Sequence, residues 1–293
     1  MNCSESVKDV WTVRRILGWT TVYLESKGCE TPRLDAEVLL SRCLNMTRVD
    51  LYLNFERPLS NSERDSYRGL VSRRAQREPV SLIIGKKEFW SIPFFVAPGV
   101  LIPRPDTETL VETVLSELQE FHNPRILELG VGSGAVSIAI LKEKPSLGIV
   151  GVDINELAIE LSLKNASANN CSDRLTLLMA DLMGAFTTGP VFEIIFSNPP
   201  YIPTESIAGL TPEIYRFEPL TALDGGVDGL DCIRKIVHEA PDYLTPGGRL
   251  ILEIGDDQSE AVLSIVEAEG RYVDATLHRD LTGNVRVVKA CLR

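Results

Sequence analysis

The chain is poor in the residues that build metal centres and disulfide frameworks. Among 293 residues there are three histidines, His122, His238 and His278, and six cysteines, Cys3, Cys29, Cys43, Cys171, Cys232 and Cys291. No two cysteines form a Cys-x-x-Cys pair. No metal site or disulfide scaffold is expected, and reduced thiols in a cytosolic protein are. No stretch approaches the roughly 18 apolar residues of a membrane span. The first eleven residues lack the basic start and apolar run of a signal peptide. The expectation is a soluble, cytoplasmic protein with no membrane partner.

Positive charge is also in deficit. Thirty Lys and Arg face 41 Asp and Glu, a net of −11. Such a balance disfavours broad, phosphate-led binding, so no nucleic acid is expected as partner. The deficit is uneven. Residues 1–85 hold 13 basic and 11 acidic side chains, a net of +2, and residues 86–293 carry a net of −13.

What is present is an ordinary globular composition, with 44% hydrophobic and 24% charged residues. That excludes a disordered or collagen-like chain. The length suggests two domains or one large one.

Residues 1–78 read as a small helical bundle. Val10, Val13, Leu17 and Leu24 share one helical face. Thr31-Pro32 reads as an N-cap with proline at the first helical position. Ser60-Asn61-Ser62-Glu63 reads as a capping box. Arg73-Arg74-Ala75-Gln76-Arg77 reads as a solvated helix end, where cations suit the dipole. Residues 79–105 then read as a connector. In it Leu82-Ile83-Ile84, Phe89-Trp90 and Phe94-Phe95-Val96 suggest short strands, with Pro93, Pro98 and Pro103 between and after them.

From 106 to 293 strands and helices alternate. Strands are expected at 126–129, 149–152, 175–179, 193–196, 249–254 and 285–290, and helices from 134 and over 156–168. This is an α/β pattern, a doubly wound, mostly parallel sheet with helices on both faces. Ligands of such sheets bind past the carboxyl ends of the strands.

Past the first strand runs Glu128-Leu129-Gly130-Val131-Gly132-Ser133-Gly134-Ala135. Its glycines let the backbone turn sharply and approach a ligand. About twenty residues on, the next strand ends in Asp153, whose carboxylate suits a ribose diol. These two features fit a dinucleotide or S-adenosylmethionine equally well. The strand through Ser197 ends in Asn198-Pro199-Pro200-Tyr201. Two prolines stiffen that segment. They leave the Asn198 side-chain oxygen and the Pro199 carbonyl as acceptors, with Tyr201 as a flat wall. The set suits a planar group bearing an NH₂, and no hydride chemistry requires it.

Together these segments resemble the class I, Rossmann-like S-adenosylmethionine-dependent amino-methyltransferases. Further runs resemble the peptide chain release factor glutamine methyltransferases of the PrmC/HemK type. They are Phe89-Trp90-Ser91-Ile92-Pro93-Phe94, Val100-Leu101-Ile102-Pro103-Arg104-Pro105-Asp106-Thr107-Glu108, Tyr215-Arg216-Phe217-Glu218-Pro219, Gly225-x-x-Asp228-Gly229-Leu230 and Arg279-Asp280-Leu281-x-Gly283-x-x-Arg286-Val287. The resemblance spans essentially the whole chain. Ser81-Leu82 stands where the family usually has Gln-Tyr, and Leu182 follows Asp181 where an aromatic is common.

The resemblance implies methylation of the side-chain amide nitrogen of the glutamine in the Gly-Gly-Gln motif of class-1 release factors, by S-adenosyl-L-methionine. It implies that Asn198, Pro199 and Tyr201 carry the reaction, and that these with Pro200 meet the substrate. It places the cofactor on Glu128, Gly130, Val131, Gly132, Ser133, Gly134, Asp153, Asp181, Leu182 and Asn198. In it the 103–108 segment walls the cofactor pocket, although Thr107 and Glu108 also suit a first helical turn. It makes residues 1–78 a substrate-docking domain and 106–293 the methyltransferase domain. The competing readings are a glutamine methyltransferase of a ribosomal protein, an adenine or guanine amino-methyltransferase of nucleic acid, and a dinucleotide-dependent oxidoreductase.

Overall fold

The computed structural model describes residues 10–293. Cys3 and the start of the chain, on which the signal-peptide reading bears, lie outside the described residues. Two compact units divide at Gly85 and Lys86.

The first unit holds helices α1 (Val13–Ser26), α2 (Pro32–Leu44), α3 (Arg48–Leu53), α4 (Asn61–Ala75) and α5 (Val80–Ile84). Val13, Leu17 and Leu24 are buried along α1, but Val10 precedes the helix and is exposed. Pro32 opens α2 as expected, yet the Thr31 hydroxyl donates to Asp35 Oδ1 at 2.8 Å instead of capping the backbone. The capping box of α4 is complete. Glu63 N–H donates to Ser60 Oγ at 3.2 Å, and Ser60 N–H donates to Glu63 Oε2 at 2.8 Å. Ser60→Ala is expected to cost about 1 kcal/mol. For a unit of this size that is about 4–8 °C of Tm, read by thermal melting.

Two expectations change here. Arg74 is not solvated: it is buried and pairs with the buried Asp35 at 2.7 Å. Residues 80–84 form a helix, not a strand. Proline at the N-cap position and a left-handed Gly85 (φ +75°) bracket it. An apolar run this short carries no period that separates the two states.

The second unit opens with an antiparallel hairpin, β1 (Lys86–Phe89) and β2 (Ile92–Phe95). Then come α6 (Glu108–Glu117), β3 (Ile126–Leu129), α7 (Ala135–Glu143), β4 (Ile149–Asp153), α8 (Glu156–Ala168), β5 (Leu175–Met179) and β6 (Phe192–Ser197). The rest is α9 (Pro212–Tyr215), α10 (Asp231–Glu239), β7 (Leu244–Glu253), α11 (Ser259–Glu269), β8 (Tyr272–Arg279) and β9 (Val285–Leu292). The sheet order is β5-β4-β3-β6-β7-β9-β8. The pairs from β5 through β7 are parallel, and β9 is antiparallel to both β7 and β8. The α/β reading of the sequence holds.

Strand alternation explains the two-sided core. Ile126, Ile194 and Phe196 point to the face covered by α6, α7 and α8, where Leu110, Val136 and Ala166 are buried. Leu127, Leu129 and Ile195 point to the other face, against Ile233 and Ile236 of α10 and Val262 of α11. Strands buried on both faces read as unbroken apolar runs.

The chain winds from β3 outward to β5, then returns to place β6 on the other side of β3. That reversal is a topological switch point, the usual ligand crevice of such sheets. Leu129 and Ser197 are paired neighbours there. The glycine loop and the Asn-Pro-Pro-Tyr segment therefore leave the sheet side by side.

Candidate active site

A cavity of about 420 Å³ lies at the switch point. That is the size of a small-ligand site. It is lined by Glu128, Gly130, Val131, Gly132, Ser133, Asp153, Asp181, Leu182, Asn198 and Pro200 from the expected set. Gly134, Pro199 and Tyr201 do not line it. Gly134 has φ +79°, and a Cβ there would meet Ser162 Oγ at 2.7 Å. Its lack of a side chain serves the packing of α7 against α8.

The loop is held to β4 through its backbone N–H groups. Gly130 and Val131 N–H both donate to the Val152 carbonyl at 2.9 Å. The Asp153 carboxylate accepts from Gly132 N–H at 2.8 Å and from Asn155 N–H at 2.9 Å. Each oxygen keeps lone-pair capacity, so a fixed carboxylate faces the cavity ready for a diol. Asp181 pairs with Lys235 at 2.8 Å across the same cavity. Leu182 takes a left-handed backbone (φ +48°) and supplies an aliphatic wall where a ring was the family's habit.

Glu128 is buried, and its carboxylate accepts the Ser137 hydroxyl from α7. Burial pushes its carboxyl up to about 8, against the hydrogen bonds to Ser137. A buried acid lining a cavity suits a ligand cation, which would supply the charge that water no longer does.

The Asn198 Nδ2 donates to Thr107 Oγ1 at 3.2 Å. With its NH₂ end so engaged, the amide turns Oδ1 away from Thr107. Thr107 is buried in the short 3₁₀ turn before α6 and lines the cavity. Glu108 has a different job: its carboxylate accepts Trp90 N–H at 3.0 Å and ties the hairpin to α6. Tyr201 Oη donates to the buried Glu253 at 3.4 Å.

Residues 15–85 match the family described as PrmC N-terminal domain, and residues 104–210 match the methyltransferase small domain. A release factor glutamine methyltransferase of Geobacter sulfurreducens is 45% identical over 280 residues, covering 96% of each chain. One of Rhodopirellula baltica is 36% identical over 282 residues, covering 95% of each. The chain belongs to the release factor glutamine methyltransferase family. The nucleic-acid, ribosomal-protein and oxidoreductase readings are not favoured by such relatives. A 16S rRNA N2 G1207 methyltransferase of T. thermophilus, solved with AdoMet and guanosine, shares the fold at TM-score 0.52 and 20% identity. The match covers 71% of this chain and 50% of that one.

In this methyltransferase Gln258, Asn155 and Ala180 lie outside every motif read from the sequence, whereas Val100, Arg104 and Glu218 lie in the quoted family runs without a role having been given to them. Gln258, just before α11, is buried and braces the motif: its Nε2 donates to the Tyr201 carbonyl at 2.8 Å, while its Oε1 accepts Gly255 N–H at 2.9 Å. Arg104 pairs at 2.5 Å with Glu218, whose burial raises its carboxyl above the usual range. Val100, Asn155 and Ala180 also line the cavity.

Gly229 shows how tight the brace is. It has φ +76°, and a Cβ would sit 2.3 Å from the Tyr201 carbonyl oxygen. That nearest obstacle is backbone, and the next is the bracing Gln258 Nε2 at 2.8 Å, so the Asn-Pro-Pro-Tyr segment must shift. Gly229→Ala is expected to lower kcat about tenfold or more, since sub-ångström misplacement of reacting groups is costly. Steady-state kinetics at saturating cofactor reads it.

Proposed function

We propose that this chain transfers a methyl group from S-adenosyl-L-methionine to the side-chain amide nitrogen of the glutamine in the Gly-Gly-Gln loop of class-1 release factors. The observation that carries it is the oriented Asn198. Its Nδ2 is engaged by Thr107, which leaves Oδ1 as an acceptor for an NH₂ group; the Pro199 carbonyl, next in the chain, is the second acceptor of this reading.

The residues present fit the cofactor. Asp153 and the Gly130–Gly132 turn suit its ribose, with Asp181 and Leu182 near its adenine. Glu128, buried with one hydroxyl partner, suits its amine. Ser133 and Val131 line the loop side, and Gly134 contributes by letting α7 close on α8.

The cofactor, when bound, supplies a methyl group on a sulfonium, an activated electrophile. An amide nitrogen is a poor nucleophile because its lone pair is delocalised into the carbonyl. The task of the protein is alignment. Asn198 Oδ1 and the Pro199 carbonyl accept the two N–H bonds of the target amide, aim the nitrogen and favour a more pyramidal geometry. Holding such a near-attack arrangement lowers a barrier by several kcal/mol. Pro200 keeps the segment rigid and walls the cavity; Tyr201, outside the cavity lining, is read as packing on the amide plane of a bound substrate. The methylated amide cation is acidic enough to give its proton to water.

The helical unit, slightly basic where the remainder is strongly acidic, is assigned to docking the protein substrate. Mass spectrometry of purified class-1 release factors after incubation with enzyme and cofactor tests the whole reading. A gain of one methyl on the Gly-Gly-Gln glutamine is expected. Methylation elsewhere, or none, overturns it.

A further inference from the structure

We infer that Arg104 receives the carboxylate at the amino-acid end of the cofactor, with its guanidinium anchored from behind by Glu218. The inference deepens the reading of the cavity as the cofactor site and rests on it.

S-adenosyl-L-methionine ends in a zwitterion, an ammonium and a carboxylate on one carbon. Glu128 suits the ammonium. A carboxylate taken into a cavity needs a partner of its own, or its desolvation is costly. Among the described residues two cationic side chains line the cavity, Arg104 and Lys235.

The sheet sets these two cations at opposite ends. Lys235 Nζ donates to Asp181 Oδ2 at 2.8 Å, just beyond β5. The Arg104 carbonyl accepts Thr107 N–H at 3.2 Å, and the Thr107 hydroxyl accepts from Asn198, just beyond β6. The order β5-β4-β3-β6 puts three interstrand spacings between those strands. That is about 14 Å. The sulfur that carries the methyl group joins the adenosine to the amino acid. With the adenine near Asp181 and the methyl directed at Asn198, the amino-acid end falls away from Lys235 and toward Arg104.

The Arg104 fork is also largely unspent. Its bond to Glu218 Oε1 uses one of five N–H groups, and Glu218 Oε2 has no partner. The pairing is therefore single rather than fork to fork. The Arg104 side chain is 35% exposed and that of Glu218 only 1%. Arg104 lines the cavity and Glu218 does not. A buried acceptor thus fixes one corner of a planar group whose other donors stay available. Such a fork matches a carboxylate with two parallel bonds.

Calorimetry on the full chain tests this with two ligands, S-adenosyl-L-methionine and its decarboxylated analogue. The analogue keeps the adenosine, the sulfonium and the amine. Arg104→Met is expected to weaken S-adenosyl-L-methionine about 10-fold to 100-fold, the range of a hydrogen bond to a charged group. The analogue is expected to bind that variant as well as it binds wild type, or better, since it loses only a repelling cation. Arg104→Lys is expected to recover part of the loss, because it keeps the charge without the fork. Lys235→Met is expected to affect both ligands alike.

Equal losses for the two ligands in Arg104→Met are the mark of a merely structural residue and overturn the inference. So does no loss at all, or a loss confined to S-adenosyl-L-methionine in Lys235→Met instead. These outcomes leave the methyl-transfer reading standing, because the mass of the Gly-Gly-Gln glutamine decides that separately. A wild type that binds neither ligand overturns the cofactor reading and this inference with it. If Arg104→Met does not fold, the double variant Arg104→Met/Glu218→Met leaves no buried carboxyl without its partner and decides by the same criteria.

Discussion

Asn198→Ala is expected to lower kcat by about 100-fold to 1000-fold. That is the range found when one preorganised polar contact to a reacting group is removed from a water-poor site. The reasoning is specific to the acceptor. In the ground state the target amide needs no help to stay planar and unreactive. As the nitrogen takes on the methyl group its N–H bonds become more acidic, and an acceptor aimed at them gains strength along the way. An interaction that strengthens toward the transition state appears in kcat. Cofactor affinity is expected to change by no more than a few-fold, because Asp153 and Glu128 are untouched. Single-turnover transfer of labelled methyl gives the rate, and calorimetry gives the affinity. A rate near wild type with intact cofactor binding removes Asn198 from the mechanism. A loss of only a few-fold makes it a minor contact.

Glu128→Gln is expected to weaken cofactor binding about 10-fold to 100-fold, the range of a hydrogen bond to a charged group. The sharper expectation concerns protons. Burial raises the Glu128 carboxyl from its ordinary 4.5 to about 8. At pH 6.5 the free enzyme therefore holds that proton. An ammonium group set against the carboxyl favours the ionised form, so binding is expected to release close to one proton. Calorimetry in buffers of different ionisation heat measures it, and Glu128→Gln is expected to abolish it. Stability follows with a definite sign. Between pH 4.5 and 8 the folded chain holds a proton that the unfolded chain has lost. Stability from this group falls as pH rises across that window and levels off above it. The glutamine variant escapes that loss, so its Tm is expected to exceed wild type at pH 8.5 and to converge on it near pH 4. Proton release equal in the two proteins would refute the role given to Glu128.

The sequence made the central strands legible because they are buried on both faces. Runs such as Ile126-Leu127 and Ile194-Ile195-Phe196 leave little else to form. β8 was not legible. It lies at the sheet edge with mostly exposed side chains, so it carries no apolar run. Arg74 misleads for a related reason: its partner Asp35 is 39 positions away, and a basic run reads as solvated until that partner is known. The same distance rule divides the site. The glycine loop, Asp153 and the Asn-Pro-Pro-Tyr segment are local patterns at strand ends, and local patterns can be read. Thr107 meets Asn198 across 91 positions, Tyr201 meets Glu253 across 52, and Arg104 meets Glu218 across 114. No spacing within a motif encodes such pairings; the fold makes them.

One small bond at the switch point bears on how the reaction keeps its distance. The buried Ser197 hydroxyl donates to the Leu129 carbonyl at 2.7 Å, across a strand pair that is already in register. The two loops that would hold methyl donor and acceptor thus start from one ladder rung. Their separation is inherited from interstrand spacing, about 4.8 Å, which hardly varies between proteins. The gauge of the reaction is therefore cut into the sheet.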